Sequence, residues 1–198
     1  LQTLDPIDWN KFKGERQQAK TLSGIHPGHL ERYFFAAGQV SGRVLDAACG
    51  CGYGSKILHD SGSFVTGIDL EREAIDYARQ HYPGPEYILA DVTKFAANYD
   101  CTVSLETIEH LTEPELALRQ FRKSRRLIVS SPNQDNYPFV AGKFANDRFP
   151  HQRHYTPLEF ESLLRENGWR VCGRFCQIEK HTPVVPGTDG KFLVFVCE

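Results

Sequence analysis

The sequence predicts an α/β fold, a mostly parallel sheet with helices on both faces. Three observations lead there. Short apolar runs alternate with stretches whose apolar residues recur at helical spacing. Several of those runs meet an acidic residue at or near their end: Asp46, Asp69, Asp91 and Glu106. A tight glycine turn, Gly50-Cys51-Gly52-Tyr53-Gly54, follows the first run and opens a helical pattern, the layout of a nucleotide-binding turn.

The elements follow in order. Residues 1–25 are polar and aperiodic and read as an arm. Leu30, Tyr33, Phe34 and Ala37 mark a cap helix over 27–37, with Pro27 suited to its first turn. Strands are expected over 43–48, 64–69, 87–91, 100–106 and 126–130. The helices between them begin at Gly54, run through Ala74, Ile75, Ala78 and Tyr82, and start again at Thr112-Glu113-Pro114-Glu115. That last segment has the form of a capping box, as does Thr156-Pro157-Leu158-Glu159 ahead of Phe160, Leu163 and Leu164. Two further strands, 170–178 and 192–197, are joined by a loop around Pro183, Pro186, Gly187 and Gly190.

Composition sets the bounds. The chain has 198 residues, 40% of them apolar, which suits a single domain over 1–198. Within it, 1–40 form an arm and cap helix, and 132–156 an inserted lid over the substrate. A net charge of −2 gives no global field for nucleic acid or anionic membranes, so nucleic acid is not an expected partner. No run of 18 apolar residues predicts a membrane span and no secretory leader is evident, so a cytoplasmic location is expected. Six cysteines without C-x-x-C spacing read as reduced core residues. Methionine is absent, where a chain of this length ordinarily holds about four.

The glycine turn departs from two common patterns. Its third glycine comes two residues after the second, where the dinucleotide fingerprint needs three, and no Gly-Lys-Ser/Thr of a phosphate loop is present. The stretch Val44-Leu45-Asp46-Ala47-Ala48-Cys49-Gly50-Cys51-Gly52-Tyr53-Gly54 resembles motif I of the class I S-adenosylmethionine-dependent methyltransferases, in the variant with Ala48 where many members carry a first glycine. The resemblance implies a Rossmann-like seven-stranded sheet of order 3-2-1-4-5-7-6 with one antiparallel strand. It also implies that Asp46 and the backbone of Ala48, Gly50 and Gly52 contact the methionine part of S-adenosylmethionine. Asp69 then binds the ribose hydroxyls, Leu70 packs on adenine, and Asp91 with Val92 meets the adenine amino group. His29-Leu30-Glu31-Arg32-Tyr33-Phe34-Phe35-Ala36-Ala37 resembles the N-terminal helix of a bacterial subgroup associated with sugar and polysaccharide synthesis, which implies that Arg32 and Tyr33 close over the cofactor carboxylate. A plain amphipathic cap helix explains Tyr33 as well.

Methyl transfer to a hydroxyl needs a base or a metal. Ser104-Leu105-Glu106-Thr107-Ile108-Glu109-His110-Leu111 resembles motif IV of the same enzymes, and its Glu-x-x-Glu-His is similar to that of the ubiquinone-pathway and small-RNA 2′-O-methyltransferases. Two readings stay open. Glu106, Glu109, His110 and His151 hold Mg²⁺ or another divalent metal, or a histidine acts as base without one. His151 is the first candidate for base or additional ligand, His154 the second, and His110 is either a base or structural. The expected function is an S-adenosylmethionine-dependent methyltransferase acting on oxygen of a small hydroxylated molecule such as a sugar, glycan precursor or natural product. Two alternatives remain: a metal-assisted RNA 2′-O-methyltransferase, suggested by the basic run 123–126, and a scaffold that binds cofactor without catalysis.

Overall fold

The computed structural model describes residues 17–143 and 149–198. Residues 1–16 of the expected arm and 144–148 of the expected lid lie outside them. Among the described residues fifteen elements follow one another, beginning with a 3-10 turn at Leu22–Gly24 and α1 (Pro27–Ala37). The central sheet is built from β1 (Arg43–Ala47), β2 (Phe64–Asp69), β3 (Glu86–Leu89), β4 (Tyr99–Ser104) and β5 (Ser124–Pro132). Between them lie α2 (Tyr53–Asp60), α3 (Arg72–His81), a 3-10 turn at Ile108–His110, and α4 (Pro114–Phe121). The chain continues through α5 (Pro157–Glu166), β6 (Val171–Gln177), β7 (Val184–Pro186) and β8 (Phe192–Cys197).

The sheet order is 3-2-1-4-5-8-6-7. Leaving out the three-residue β7, this is the expected order, but the strand count is eight rather than seven. Two strands, β7 and β8, run against the rest instead of one, since β8 pairs antiparallel with both β5 and β6, and β7 antiparallel with β6. The extra strand escaped notice because Val184-Val185-Pro186 sits among turn residues and is too short to show a period.

The central strands are buried on both faces, as parallel strands covered by helices must be. Successive residues feed opposite cores. Val44 packs with Tyr33, Ile57, Leu58 and Ile75 under α1, α2 and α3, whereas Leu45 packs with Leu118, Phe160 and Trp169 under α4 and α5. Ile128 and its neighbours Leu127 and Val129 divide the same way.

The two expected capping boxes fare differently. Thr156 forms one with Glu159, its hydroxyl accepting from the Glu159 amide at 3.2 Å while the Glu159 carboxylate accepts from the Thr156 amide at 2.9 Å. Thr112 forms none. The residue before Pro114 is Glu113, and α4 begins without a side-chain cap bond, because proline at N1 fixes the start one residue later than the capping pattern implied. The strands β3 and β4 also stop short of their acids. Asp91 and Glu106 each lie two residues beyond the last paired residue, in the connecting turns.

No helix among the described residues is long and apolar enough to cross a membrane. None of the six cysteines forms a disulfide.

Candidate functional site

A cavity of about 630 Å³ opens where β1 to β5 end. Its first wall is the turn after β1. Ala48 has φ 63° and Gly50 φ 55°, so both occupy the left-handed region that ordinarily favours glycine. Asp69, the last residue of β2, fixes this turn, accepting from the Gly50 amide at 2.9 Å through one carboxylate oxygen and from the Glu71 amide at 2.9 Å through the other. Leu70, 58% exposed, and Val92 line the cavity beside Asp91. Burial pushes the Asp91 carboxyl up, but the Thr93 hydroxyl and amide and the Lys94 ammonium outweigh it and hold the group below its usual range.

Asp46 is not on the cavity wall. It is fully buried, accepting from the Tyr33 hydroxyl at 3.1 Å and the Ser55 hydroxyl at 2.6 Å, and burial pushes its carboxyl up to about 7. Tyr33 does line the cavity, with its phenol well above the ordinary range through burial and the Asp46 charge, so it stays a donor. Gly54 explains how that ring fits. A Cβ there would lie only 2.0 Å from the Tyr33 ring, so the last glycine of the turn serves the cap helix and not a ligand. Gly52 caps α2 behind the wall.

The opposite wall holds the groups fit for chemistry. Glu106 adopts φ 52° and is locked to Ser130, whose hydroxyl accepts from the Glu106 amide at 2.8 Å and donates to its carboxylate at 2.6 Å. The other Glu106 oxygen faces buried Arg32 at 3.7 Å. Arg32 in turn donates to Gln177 at 2.5 Å and lies 4.6 Å over the Phe192 ring.

Beyond Glu106 the 3-10 turn carries Glu109 and His110. His110 Nδ1 bonds the Phe149 carbonyl at 2.7 Å, and its ring meets that of His151 edge-on at 4.5 Å. His151 Nδ1 bonds His154 Nε2 at 2.7 Å, and His154 Nδ1 bonds the Tyr137 carbonyl at 2.6 Å. A carbonyl only accepts, so His154 donates from Nδ1, and in the neutral ring its Nε2 accepts from His151 Nδ1. The neutral His151 then carries its lone pair on Nε2, and by the same logic so does His110. Ligand atoms of Glu109, His110 and His151 all lie within 4.8 Å of one another.

A family model described as a methyltransferase domain matches residues 45–126. A probable S-adenosylmethionine-dependent methyltransferase of Mycobacterium tuberculosis is 29% identical over 74% of this chain and 60% of its own length. A ubiquinone biosynthesis O-methyltransferase of Coxiella burnetii is 24% identical over 83% of this chain and 77% of its own. Among solved structures, a TehB-like S-adenosylmethionine-dependent methyltransferase from Corynebacterium glutamicum superposes with a TM-score of 0.58 at 25% identity, covering 84% of this chain and 85% of that one. Over residues 45–126 the chain is similar to a methyltransferase domain, and its sheet, apart from β7, has the order expected of the class I S-adenosylmethionine-dependent methyltransferases. The chain spans 60% of the length of the mycobacterial relative.

The chain gathers most of the expected residues at one cavity: Arg32, Tyr33, Ala48, Gly50, Asp69, Leu70, Asp91, Val92, Glu106, His110 and His151 all line it. It sets four behind the wall, namely Asp46, Gly52, Glu109 and His154. Glu106 leaves the expected metal quartet, because its left-handed turn and its bonds to Ser130 aim it at Arg32 while the clustered trio lies one 3-10 turn further on. His154 stands behind His151 and orients it. Reading the sequence alone missed Gln177 and Lys180, and it placed Ser130 beside the site and Tyr137 in the lid without giving either a role. Polar residues closing an apolar strand, as Ser130 and Gln177 do, are the signal that was available.

Proposed function

We propose that this protein transfers the methyl group of S-adenosylmethionine to a hydroxyl of a small molecule. The observation that carries the oxygen assignment is the chain from the Tyr137 carbonyl through His154 to His151, which sets an Nε2 lone pair at the cavity wall. When bound, S-adenosylmethionine supplies a methyl carbon on positively charged sulfur. The Asp69 carboxylate, at the end of β2 on the cavity wall, is the acceptor suited to the two ribose hydroxyls. Asp91 and Val92 suit the adenine edge, and Leu70 its face. Arg32 and Tyr33 are committed to Gln177, Glu106 and Asp46, so reaching a cofactor carboxylate requires those bonds to rearrange.

His151 Nε2 takes the acceptor proton as the oxygen attacks. The resulting imidazolium is stabilised by the Nε2 of His154 and by the nearby Glu109 carboxylate. Turnover of S-adenosylmethionine with a panel of catechols and sugars tests the reading. We expect His151→Ala to lower kcat by about 10²–10⁴-fold, the usual range for a lost general base, with cofactor affinity unchanged in calorimetry. An unaltered kcat would remove His151 from the role.

The clustered Glu109, His110 and His151 favour a second reading, a divalent metal in place of the free base. Two imidazoles and one carboxylate suit a transition metal better than Mg²⁺, which prefers all-oxygen sites. Activity abolished by a chelator and restored by one stoichiometric metal would select this version. The RNA reading gains no support, because the run 123–126 lies at the start of β5, the end of the sheet away from the cavity. There Arg126 bonds the Gln39 carbonyl and pairs with Glu198. The scaffold reading would be favoured by cofactor binding without turnover of any hydroxylated acceptor.

A further inference from the structure

The cavity is polarised in charge along the sheet. Asp69, Glu71, Glu73 and Asp91 line it beside β2 and β3, whereas His26, His29, Arg32 and Lys180 line it at the far side, where the β6–β7 connection meets the start of α1. That contact is close, for a Cβ on Gly28 would fall 1.6 Å from the Lys180 carbonyl oxygen, so only glycine lets the connection rest there.

The four basic side chains share one field, whose charge comes from Arg32 and Lys180 while the two imidazoles are kept neutral. Burial lowers the His26 pKa first, and the charges of Lys180, Arg32 and His181 lower it further. His29 is held well below its usual value by burial, then by Arg32, His26 and Lys180. Arg32 has Glu106 beside it. Lys180 makes no ion pair among the described residues, and its ammonium lies 5.4 Å over the Tyr137 ring. Tyr137 connects this wall to the catalytic one, since its ring carries Lys180 and its carbonyl fixes His154 and through it His151. With Arg32 facing Glu106, the Lys180 ammonium is the charge this side of the cleft offers to counter-charge, and the neutral His26 and His29 rings beside it can add hydrogen bonds.

We propose that the Lys180 and His26 side of the cavity binds an anionic group of the methyl acceptor, a carboxylate or phosphate, and so seats the acceptor's hydroxyl toward His151. The inference rests on the methyltransferase reading of the same cavity. The carboxylate of the cofactor's own methionine part has the same chemistry, and the test must separate the two.

The experiment is calorimetry on the full chain, first with S-adenosylhomocysteine, then on the loaded protein with 3,4-dihydroxybenzoate, catechol and inorganic phosphate. We expect 3,4-dihydroxybenzoate to bind about tenfold or more tighter than catechol, and phosphate to compete with it. Lys180→Gln, at an exposed loop position, should weaken both anions about tenfold and leave S-adenosylhomocysteine within about twofold, with Lys180→Arg restoring anion binding. If Lys180→Gln weakens S-adenosylhomocysteine as much as the anions, the cluster serves the cofactor and the inference fails. Equal binding of 3,4-dihydroxybenzoate and catechol, or no binding of any anion, overturns it as well. Failure of the unsubstituted chain to bind S-adenosylhomocysteine instead overturns the methyltransferase reading beneath it.

Discussion

At the scale of single residues, the turn after β1 shows what a side chain costs where glycine is expected. Ala48 at φ 63° carries the left-handed penalty of about 1–2 kcal/mol, against which glycine would lose about 0.5–1 kcal/mol of chain entropy. Ala48→Gly should therefore raise stability by about 0.5–1 kcal/mol in urea unfolding, and a destabilised variant would show the methyl group to be packed usefully. Asp69→Ala should weaken S-adenosylmethionine by roughly 1.5–3 kcal/mol in calorimetry, the worth of hydrogen bonds to a charged group. Unchanged affinity would refute the ribose assignment. The position of Asp69 was legible because a strand ending in an acid about twenty residues after a glycine turn is a local pattern. The burial of Asp46 was not, since nothing in Val44-Leu45-Asp46 says that Tyr33 and Ser55 close over it.

At the scale of elements, Asp46 joins β1 to both α1 and α2. Its carboxyl, raised from 3.8 to about 7, binds a proton in the folded chain that the unfolded chain has already released between those values. This contribution to stability is full below about pH 4 and is lost as pH rises toward 7, on the order of a few kcal/mol. Asp46→Asn should flatten that fall in unfolding curves taken from pH 4 to 8, and parallel curves for the two proteins would discard the account. For α5, Thr156→Ala should cost about 1 kcal/mol by opening both bonds of the capping box, and an unchanged urea midpoint would show the box to be idle. The same letters misled at Thr112, because a capping pattern states only which bonds are available and Pro114 decides where the helix can start.

At the scale of the whole molecule, the alternation of strands and helices was readable throughout and gave the two-faced sheet. The edge at β6, β7 and β8 and the basic side of the cavity were less so, because they depend on pairings across long separations. Ligand at about 100 times its Kd should stabilise the fold by about 2.7 kcal/mol, with hydrogen exchange slowed in the turn 48–52 and at 133–137. Protection confined to the strand starts would place the ligand elsewhere. The buried Gln177 side chain binds both ends of this problem, accepting from Arg32 and donating to the Gly28 and Thr182 carbonyls, across 145 and 149 residues in the first two cases. During biosynthesis at 5–20 residues per second, α1 waits roughly 7–30 s for that clasp. The ribosome thus finishes the central strands before the cofactor has a closed place to bind, and a nascent chain halted ahead of Gln177 should carry a sheet but no working pocket.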